Sequence, residues 1–179
     1  MNRQQARDQN LQFQAGESVK QFKAAVLYNQ KIKEKGQLQA KAYYANRDFY
    51  GLLPFGFGGI VDLNRHYGGQ GVNYTLQQQF SENQKSSLQV GYDIHFQRDH
   101  RQRFFNLDGI QGDPTLNQIE SFSNFGIFLT DHLELTKQLH LNVNMRYDIN
   151  NLNADDRKLD NGDDSGDCLL YTSPSPRDS

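Results

Sequence analysis

The chain has few of the residues on which several common architectures depend. Its 179 residues include one cysteine, no tryptophan and four prolines. A single cysteine excludes a disulfide framework and a cysteine-based metal cluster. The formal net charge of −2 offers no electrostatic basis for nucleic-acid binding. No run of about 18 apolar residues occurs, which excludes a transmembrane helix but not a membrane-spanning strand.

The N-terminal segment lacks the pattern of a secretory leader. Met1 to Gln5 lead into further polar residues, without the apolar core that a signal peptide needs. Two interpretations follow. Either the protein is cytoplasmic, or its natural N-terminus lies outside the sequence.

The C-terminal residues resemble the conceptual translation of a transposon-type sequencing adapter. Residues 168–178 read Cys-Leu-Leu-Tyr-Thr-Ser-Pro-Ser-Pro-Arg-Asp. We therefore predict two parts, a natural segment over 1–167 and a non-native, disordered tail over 168–179. The alternative is a natural disordered tail. Without Cys168 the remaining chain has no cysteine, so thiol chemistry is not expected.

Alternation of apolar and polar residues is the main pattern in the chain. From Leu88 to Phe96 every second residue is apolar, and the same period returns from Leu139 to Ile149. Side chains alternate between the two faces of a strand, so each stretch has one apolar and one polar face. Six strands are predicted on this basis, at about Phe22–Asn29, Gln37–Arg47, Gly71–Phe80, Ser87–Gln97, Asn124–Thr136 and Leu139–Asn150.

The connections between these strands are predicted to alternate in length. Short turns are expected at 31–36, 81–86 and 137–138, and long loops at 48–70 and 98–123. This order predicts an all-β, antiparallel up-and-down meander with its short turns at one end. Long loops opposite short turns are typical of outer-membrane β-barrels.

Several segments carry a family resemblance. They are Asn46–Phe55, Arg101–Asn106, Gly112–Gln118, Leu129–Leu135 and Met145–Asp148. Together they resemble the barrel region of TonB-dependent outer-membrane receptors, especially the ferric-siderophore branch. Members of that family enclose an N-terminal plug in a 22-stranded transmembrane β-barrel. They import iron chelates, cobalamin or other scarce nutrients with energy passed on by TonB.

The resemblance implies that residues 1–167 are about six strands of such a barrel. The expected location is the outer membrane of a Gram-negative bacterium, with apolar strand faces on lipid and polar faces on the lumen. The expected partners are a ferric siderophore, TonB through a segment missing from this chain, outer-membrane lipid and lipopolysaccharide. No nucleic acid and no cofactor are expected. No catalytic residue is expected either, because the sequence shows no nucleophile with an adjacent base.

Two groups of residues are candidate ligand contacts in the predicted long loops. Arg98, His100, Arg101 and Arg103 form a basic cluster that is suited to an anionic ferric chelate. The alternatives are a solvated loop or contacts with lipopolysaccharide phosphates.

The second group is aromatic. Tyr50, Phe55 and Phe57 stand in a glycine-rich stretch that either closes over a ligand or packs against other loops.

Histidines and aspartates are the candidate metal ligands of the chain. His132 and His140 are expected on the polar faces of neighbouring strands, without a visible third ligand, and a hydrophilic lumen face explains both. The aspartates around Asn161-Gly162 lack EF-hand spacing, so a solvated acidic loop is preferred to a calcium site. No metal-binding residue is predicted.

Two other functions remain open from sequence. One is a smaller outer-membrane porin or adhesin. The other is a soluble β-sandwich that binds a glycan, because an apolar core face and a lipid-facing face have the same alternation.

Overall fold

The computed structural model describes residues 8–172, most of which lie in strands. A short helix, α1 (Asp8–Gln12), precedes the strands β1 (Gly16–Ile32), β2 (Gly36–Leu52), β3 (Ile60–Ser81), β4 (Gln84–Leu107), β5 (Ile110–Glu134), β6 (His140–Asp156) and β7 (Gly166–Thr172). The seven strands form one sheet in sequence order, and each strand is antiparallel to the next. The predicted all-β meander is confirmed. Within residues 8–172, no helix combines the length and apolar composition that a membrane crossing needs.

The prediction of two long loops is wrong. β2 continues to Leu52 and β3 begins at Ile60, so residues 53–59 alone connect them. β4 and β5 extend through the second predicted loop and meet at Asp108 and Gly109. These two residues have φ angles of 52° and 91°. Positive φ at both central positions is the geometry of a type I′ hairpin turn, which Asp-Gly favours.

The two ends of the sheet differ in shape. At the turn end, the connections are residues 33–35, 82–83 and 135–139. At the extended end, they are residues 53–59, 108–109 and 157–165. β4 has 24 residues and β5 has 25, whereas a tilted membrane crossing needs about 9–11. The middle strands therefore project well beyond one crossing at the extended end.

Part of the tail that was predicted to be disordered is a strand. Residues 168–172 belong to β7, which pairs with β6 from Asp148 to Ala154. The unpaired N–H and C=O groups of β6 can accept any extended segment, because ladder bonds are made by backbone alone. Disorder is thus the wrong expectation for 168–172, and residues 173–179 lie outside the described range. The adapter origin of the tail stays a prediction.

The sheet is a single layer with two unlike faces. Among the described residues, Ala45 and Ile60 are the buried hydrophobic side chains. Large apolar side chains are exposed along one face, including Val26 (71% exposed) and Met145 (62%). A soluble sandwich would cover this apolar face with a second sheet, and the described strands all belong to one. An apolar surface of this extent marks contact with another apolar phase or partner.

The apolar face has a defined extent along the strands. On β4 it runs from Leu88 to Phe96, which is nine residues, the length of one membrane crossing. The next two side chains on this face are Arg98 and His100. The same face therefore changes from apolar to polar where the strands enter the extended end.

Candidate functional site

The polar face carries a row of alternating charged residues and glycines. Lys41, Gly71, Asp93, Gly126 and Asp148 are consecutive cross-strand partners on β2 to β6. A Cβ at Gly71 would collide with the Asp93 carboxylate, and one at Gly126 with that of Asp148. The glycines therefore leave the space in which the charged side chains lie across the strands.

These charges form one connected network. The Asp93 carboxylate lies 3.1 Å from Lys41 Nζ and 3.4 Å from Arg146 Nη1. Arg146 donates two hydrogen bonds of 2.7 Å to Asp148, from Nε and Nη2. Asn124 Nδ2 donates to the same carboxylate at 3.2 Å. Each charge in this part of the polar face has an opposite partner, so the row is a hydrophilic wall with little net charge.

A second charged row lies nearer the extended end. Arg47, Arg65, Asp99 and Glu120 are consecutive cross-strand partners on β2 to β5. Asp99 is 1% exposed. Arg65 donates to it from Nε at 2.8 Å and from Nη2 at 2.5 Å, a bidentate pair. Gln97 Nε2 adds a third hydrogen bond at 3.1 Å.

Asn106 fixes the loop at the extended end. Its side chain is buried and donates from Nδ2 to the carbonyls of Phe13 (3.0 Å) and Leu53 (3.1 Å). Its Oδ1 accepts from the Gly109 amide at 2.7 Å, and its own amide donates to the Gly56 carbonyl at 2.8 Å. One residue thus ties the segment after α1, the 53–59 loop and the β4–β5 turn together. Sequence reasoning missed this role because its partners are distant backbone atoms.

The predicted basic cluster is divided between the two faces. Arg98 and His100 lie on the outward side, in line with Phe96. Arg101 and Arg103 lie on the polar face with Arg65 and Asp99. Arg101 Nη1 pairs with Glu120 at 3.1 Å. The structure therefore does not bring the four residues into one site, because alternate strand positions face opposite ways.

Arg103 and Thr115 present polar atoms beside Gly58. Within the described residues, Arg103 Nε and Thr115 Oγ1 are buried and have no hydrogen-bond partner. Both side chains border Gly58, since a Cβ there would lie 3.4 Å from Thr115 Oγ1 and 3.6 Å from Arg103 Cδ. Gly58 has φ +63°, a conformation that favours glycine. Unpartnered buried donors are costly, which makes this the strongest candidate for an anionic group at the extended end.

The predicted aromatic residues have different surroundings. Tyr50 lies on the outward side of β2, opposite Ser18 and Asp62. Phe57 packs edge-on against Phe105, with ring centroids 5.3 Å apart. Phe55 is 45% exposed in the 53–59 loop. The structure thus gives Phe57 a partner in the fold.

Ion pairs neutralise much of the charge of the acidic loop over 157–165 and of the end of β6 that precedes it. Asp155 pairs with Arg157 at 2.8 Å, and Lys158 pairs with Asp160. The hydrogen bond from Lys158 lowers the pKa of Asp160 below its usual value. Hydrogen bonds from the Ser165 side chain, and then from its backbone, lower the pKa of Asp163. These carboxylates are stabilised in their charged form by local donors.

At the turn end, the structure adds a third residue to the histidine pair. One ligand atom each from His132, Glu134 and His140 lies within 4.8 Å of the others. The two imidazole rings are stacked, with centroids 5.8 Å apart and an angle of 11° between their planes. Glu134 enters the group because it lies directly opposite His140 on β6.

The comparisons with known proteins agree with this architecture. The chain matches the family described as "TonB dependent receptor-like, beta-barrel" over residues 2–177. This chain belongs to the TonB-dependent receptor family. The predicted family is therefore confirmed, and the porin, adhesin and soluble alternatives are not supported.

Two solved structures of iron-chelate transport proteins have a similar fold. The unliganded ferric citrate transporter FecA has a TM-score of 0.74 and 13% identity over 88% of this chain. The closed form of the ferric-catecholate import receptor Fiu, from Escherichia coli K12, has a TM-score of 0.63 and 11% identity over 89% of this chain. This receptor segment spans 24% and 30% of those two chains. No curated protein matches it in sequence.

The family indicates a class of protein and the cellular location of its members. TonB-dependent receptors are outer-membrane transport receptors rather than enzymes. Within this receptor segment, the apolar face and the charged rows are consistent with a barrel wall that separates lipid from a hydrophilic interior.

Proposed function

We propose that this chain forms part of the barrel wall of an outer-membrane receptor that takes up a ferric siderophore or a similar scarce nutrient. The observation that carries the proposal is the single-layer sheet with an uncovered apolar face and a paired, charged polar face. Such a sheet is stable where lipid covers one side and water the other. The outer membrane of a Gram-negative bacterium provides both.

The proposed orientation follows from the two ends of the sheet. The turn end faces the periplasm, and the extended end projects outside the cell. The outward residues Arg98 and His100 then lie just beyond the apolar face, at the level of lipopolysaccharide phosphates. The polar face lines the lumen, and transport energy comes from TonB.

The substrate class rests on the polar groups at the extended end. FecA and Fiu are described as a ferric citrate transporter and a ferric-catecholate import receptor. Both names specify chelates made by anionic oxygen donors. Arg103 Nε lies on the polar face, and Thr115 Oγ1 borders the same glycine, Gly58. Both are donors without partners in the described range, and a guanidinium suits such oxygens. Phe55, exposed in the adjoining loop, is available to contact the same ligand.

Paired arginine substitutions in the full-length receptor test this function. Arg103→Gln removes a polar-face cation, whereas Arg98→Gln makes the same change on the outward side of the same strand. Arg103→Gln is expected to weaken binding of the ferric siderophore about tenfold or more, because one charge-assisted hydrogen bond contributes about 1.5–3 kcal/mol. Arg98→Gln is expected to leave affinity within about twofold, because alternate positions face opposite sides.

The measurement is equilibrium binding and uptake of radiolabelled iron with citrate-type and catecholate-type chelates. Equal affinity of both variants for every chelate that the receptor imports would show that Arg103 does not contribute to the binding site. Absence of TonB-dependent iron uptake with every chelate would contradict the siderophore function itself.

A further inference from the structure

We propose that His132, Glu134 and His140 form a binding site for a divalent transition-metal ion of the zinc class at the turn end of the sheet. The site lies on the polar face of the β5–β6 hairpin, at the opposite end from the proposed siderophore contacts. It does not depend on the proposed function. Its basis is the convergence of three suitable ligand atoms within 4.8 Å.

The register of the hairpin fixes this convergence. Glu134 is directly opposite His140, and His132 is directly opposite Asn142. His132 and His140 are therefore diagonal neighbours on one face, and their rings stack with centroids 5.8 Å apart. Small side-chain rotations bring the three atoms to the separation that ligands of a common ion have, since each lies about 2.0–2.2 Å from the metal.

Asn142 orients one of the ligands. The distance between His132 Nδ1 and Asn142 Oδ1 is 2.6 Å. An amide oxygen can only accept, so Nδ1 carries the proton and donates this bond. The lone pair of the neutral ring is then on Nε2, which is the nitrogen left for a metal. A ligand histidine commonly has such a partner on its other nitrogen, which fixes its tautomer and ring orientation.

The turn between the strands holds the ligands in place. The amides of Leu135 and Thr136 donate to the Leu139 carbonyl at 3.0 and 3.2 Å. The amide of Leu139 donates back to Thr136 Oγ1 at 3.0 Å. Glu134 and His140 immediately flank this closed turn. Binding of a metal ion there costs little conformational entropy, because the chain around the ligands is already ordered.

The ligand set selects the class of ion. Two imidazoles and one carboxylate suit Zn²⁺, Cu²⁺ or Ni²⁺, whereas Mg²⁺ and Ca²⁺ prefer oxygen donors only. Lys85 on β4 is the other cross-strand neighbour of Glu134. No ion pair within residues 8–172 joins them, so the carboxylate remains available to a metal.

Calorimetric titration with Zn²⁺ of the detergent-solubilised full-length receptor, after treatment with a chelator, tests the site. The wild type is expected to bind one more Zn²⁺ than His140→Asn does. His66→Asn is the matched control, because His66 lies on the outward side near the extended end, and it is expected to bind the wild-type number. Unchanged stoichiometry in His140→Asn, with a wild-type unfolding midpoint as the check on folding, overturns the proposal.

A second variant separates an organised site from two incidental histidines. Asn142→Ala keeps all three ligands but removes the partner of His132 Nδ1. Its affinity for Zn²⁺ is expected to fall about 10–100-fold, the usual effect of removing such a partner. Co²⁺ is expected to give visible absorption bands of a tetrahedral site in the wild type and not in His140→Asn. If Asn142→Ala leaves both the affinity for Zn²⁺ and the Co²⁺ spectrum unchanged, the proposed geometry is also overturned.

Discussion

Arg65→Met in the full-length receptor is expected to lower the free energy of unfolding by about 3 kcal/mol. The change leaves the carboxylate of Asp99, which is 1% exposed, with Gln97 as its remaining hydrogen-bond donor from a side chain. Loss of one partner leaves a buried charge unpaired, which typically lowers the free energy of unfolding by about 3–5 kcal/mol. The lower end applies because Arg65 itself is 33% exposed. Equilibrium unfolding in urea, with refolding into lipid vesicles, measures the difference.

Two further variants control this experiment. Arg47→Met removes a cation from the same row, but this guanidinium stacks on Phe49 at 5.9 Å and has no ion pair within residues 8–172. Its expected cost is about 1 kcal/mol or less. Asp99→Asn in the Arg65→Met background removes the stranded charge and is expected to recover most of the loss. A loss that persists in the double variant would contradict the electrostatic explanation.

Leu129→Arg is expected to cost about 2–4 kcal/mol, whereas Thr130→Arg on the adjacent position costs less than about 1 kcal/mol. Leu129 lies on the apolar face between Val90 and Met145. Thr130 lies on the polar face between Gln89 and Asn144. In the proposed barrel wall, the new arginine faces lipid in the first variant and the aqueous interior in the second. The same unfolding assay gives both values.

The difference between these two values tests which face of the sheet meets lipid. A larger cost for Thr130→Arg would mean that the polar face is the covered one. Equal costs would mean that both faces meet the same environment, which a barrel wall in a membrane does not allow.

The strand segments with alternating hydropathy were predictable from sequence, and their extensions beyond the apolar face were not. Alternation of hydropathy reports what each face meets, and it is clear on β4 only from Leu88 to Phe96. Beyond Phe96 both faces meet water or polar groups, so the alternation ends although backbone pairing continues to Leu107. The one local signal in the long predicted loop is Asp108-Gly109, a dipeptide typical of a two-residue hairpin turn.

The division of the basic cluster has the same origin. Once Arg98–Ser123 is strand rather than loop, residues 98 and 100 must face away from 101 and 103. The pair of Arg65 with Asp99 joins two strands whose register at that point no hydropathy pattern specifies. Sequence spacing alone therefore could not have indicated it.

Glu134 could have been found from sequence. The predicted two-residue turn at Lys137 and Gln138 would place Leu133 opposite Asn142. A shift of one residue instead places Leu133 opposite Leu141, as in the structure. Matching apolar faces across the hairpin requires this register. It also places Glu134 opposite His140, which completes the proposed metal site.

The accessibility of single nitroxide labels along β4 would show most directly whether the apolar face meets lipid. In the full-length receptor in vesicles, collision with lipid-soluble oxygen should peak at every second position from Leu88 to Phe96. Among the outward positions, collision with a water-soluble nickel chelate should be highest at Arg98 and His100. Oxygen maxima at Gln89, Asp93 and His95, or an absence of alternation, would contradict the assignment of the apolar face to the membrane.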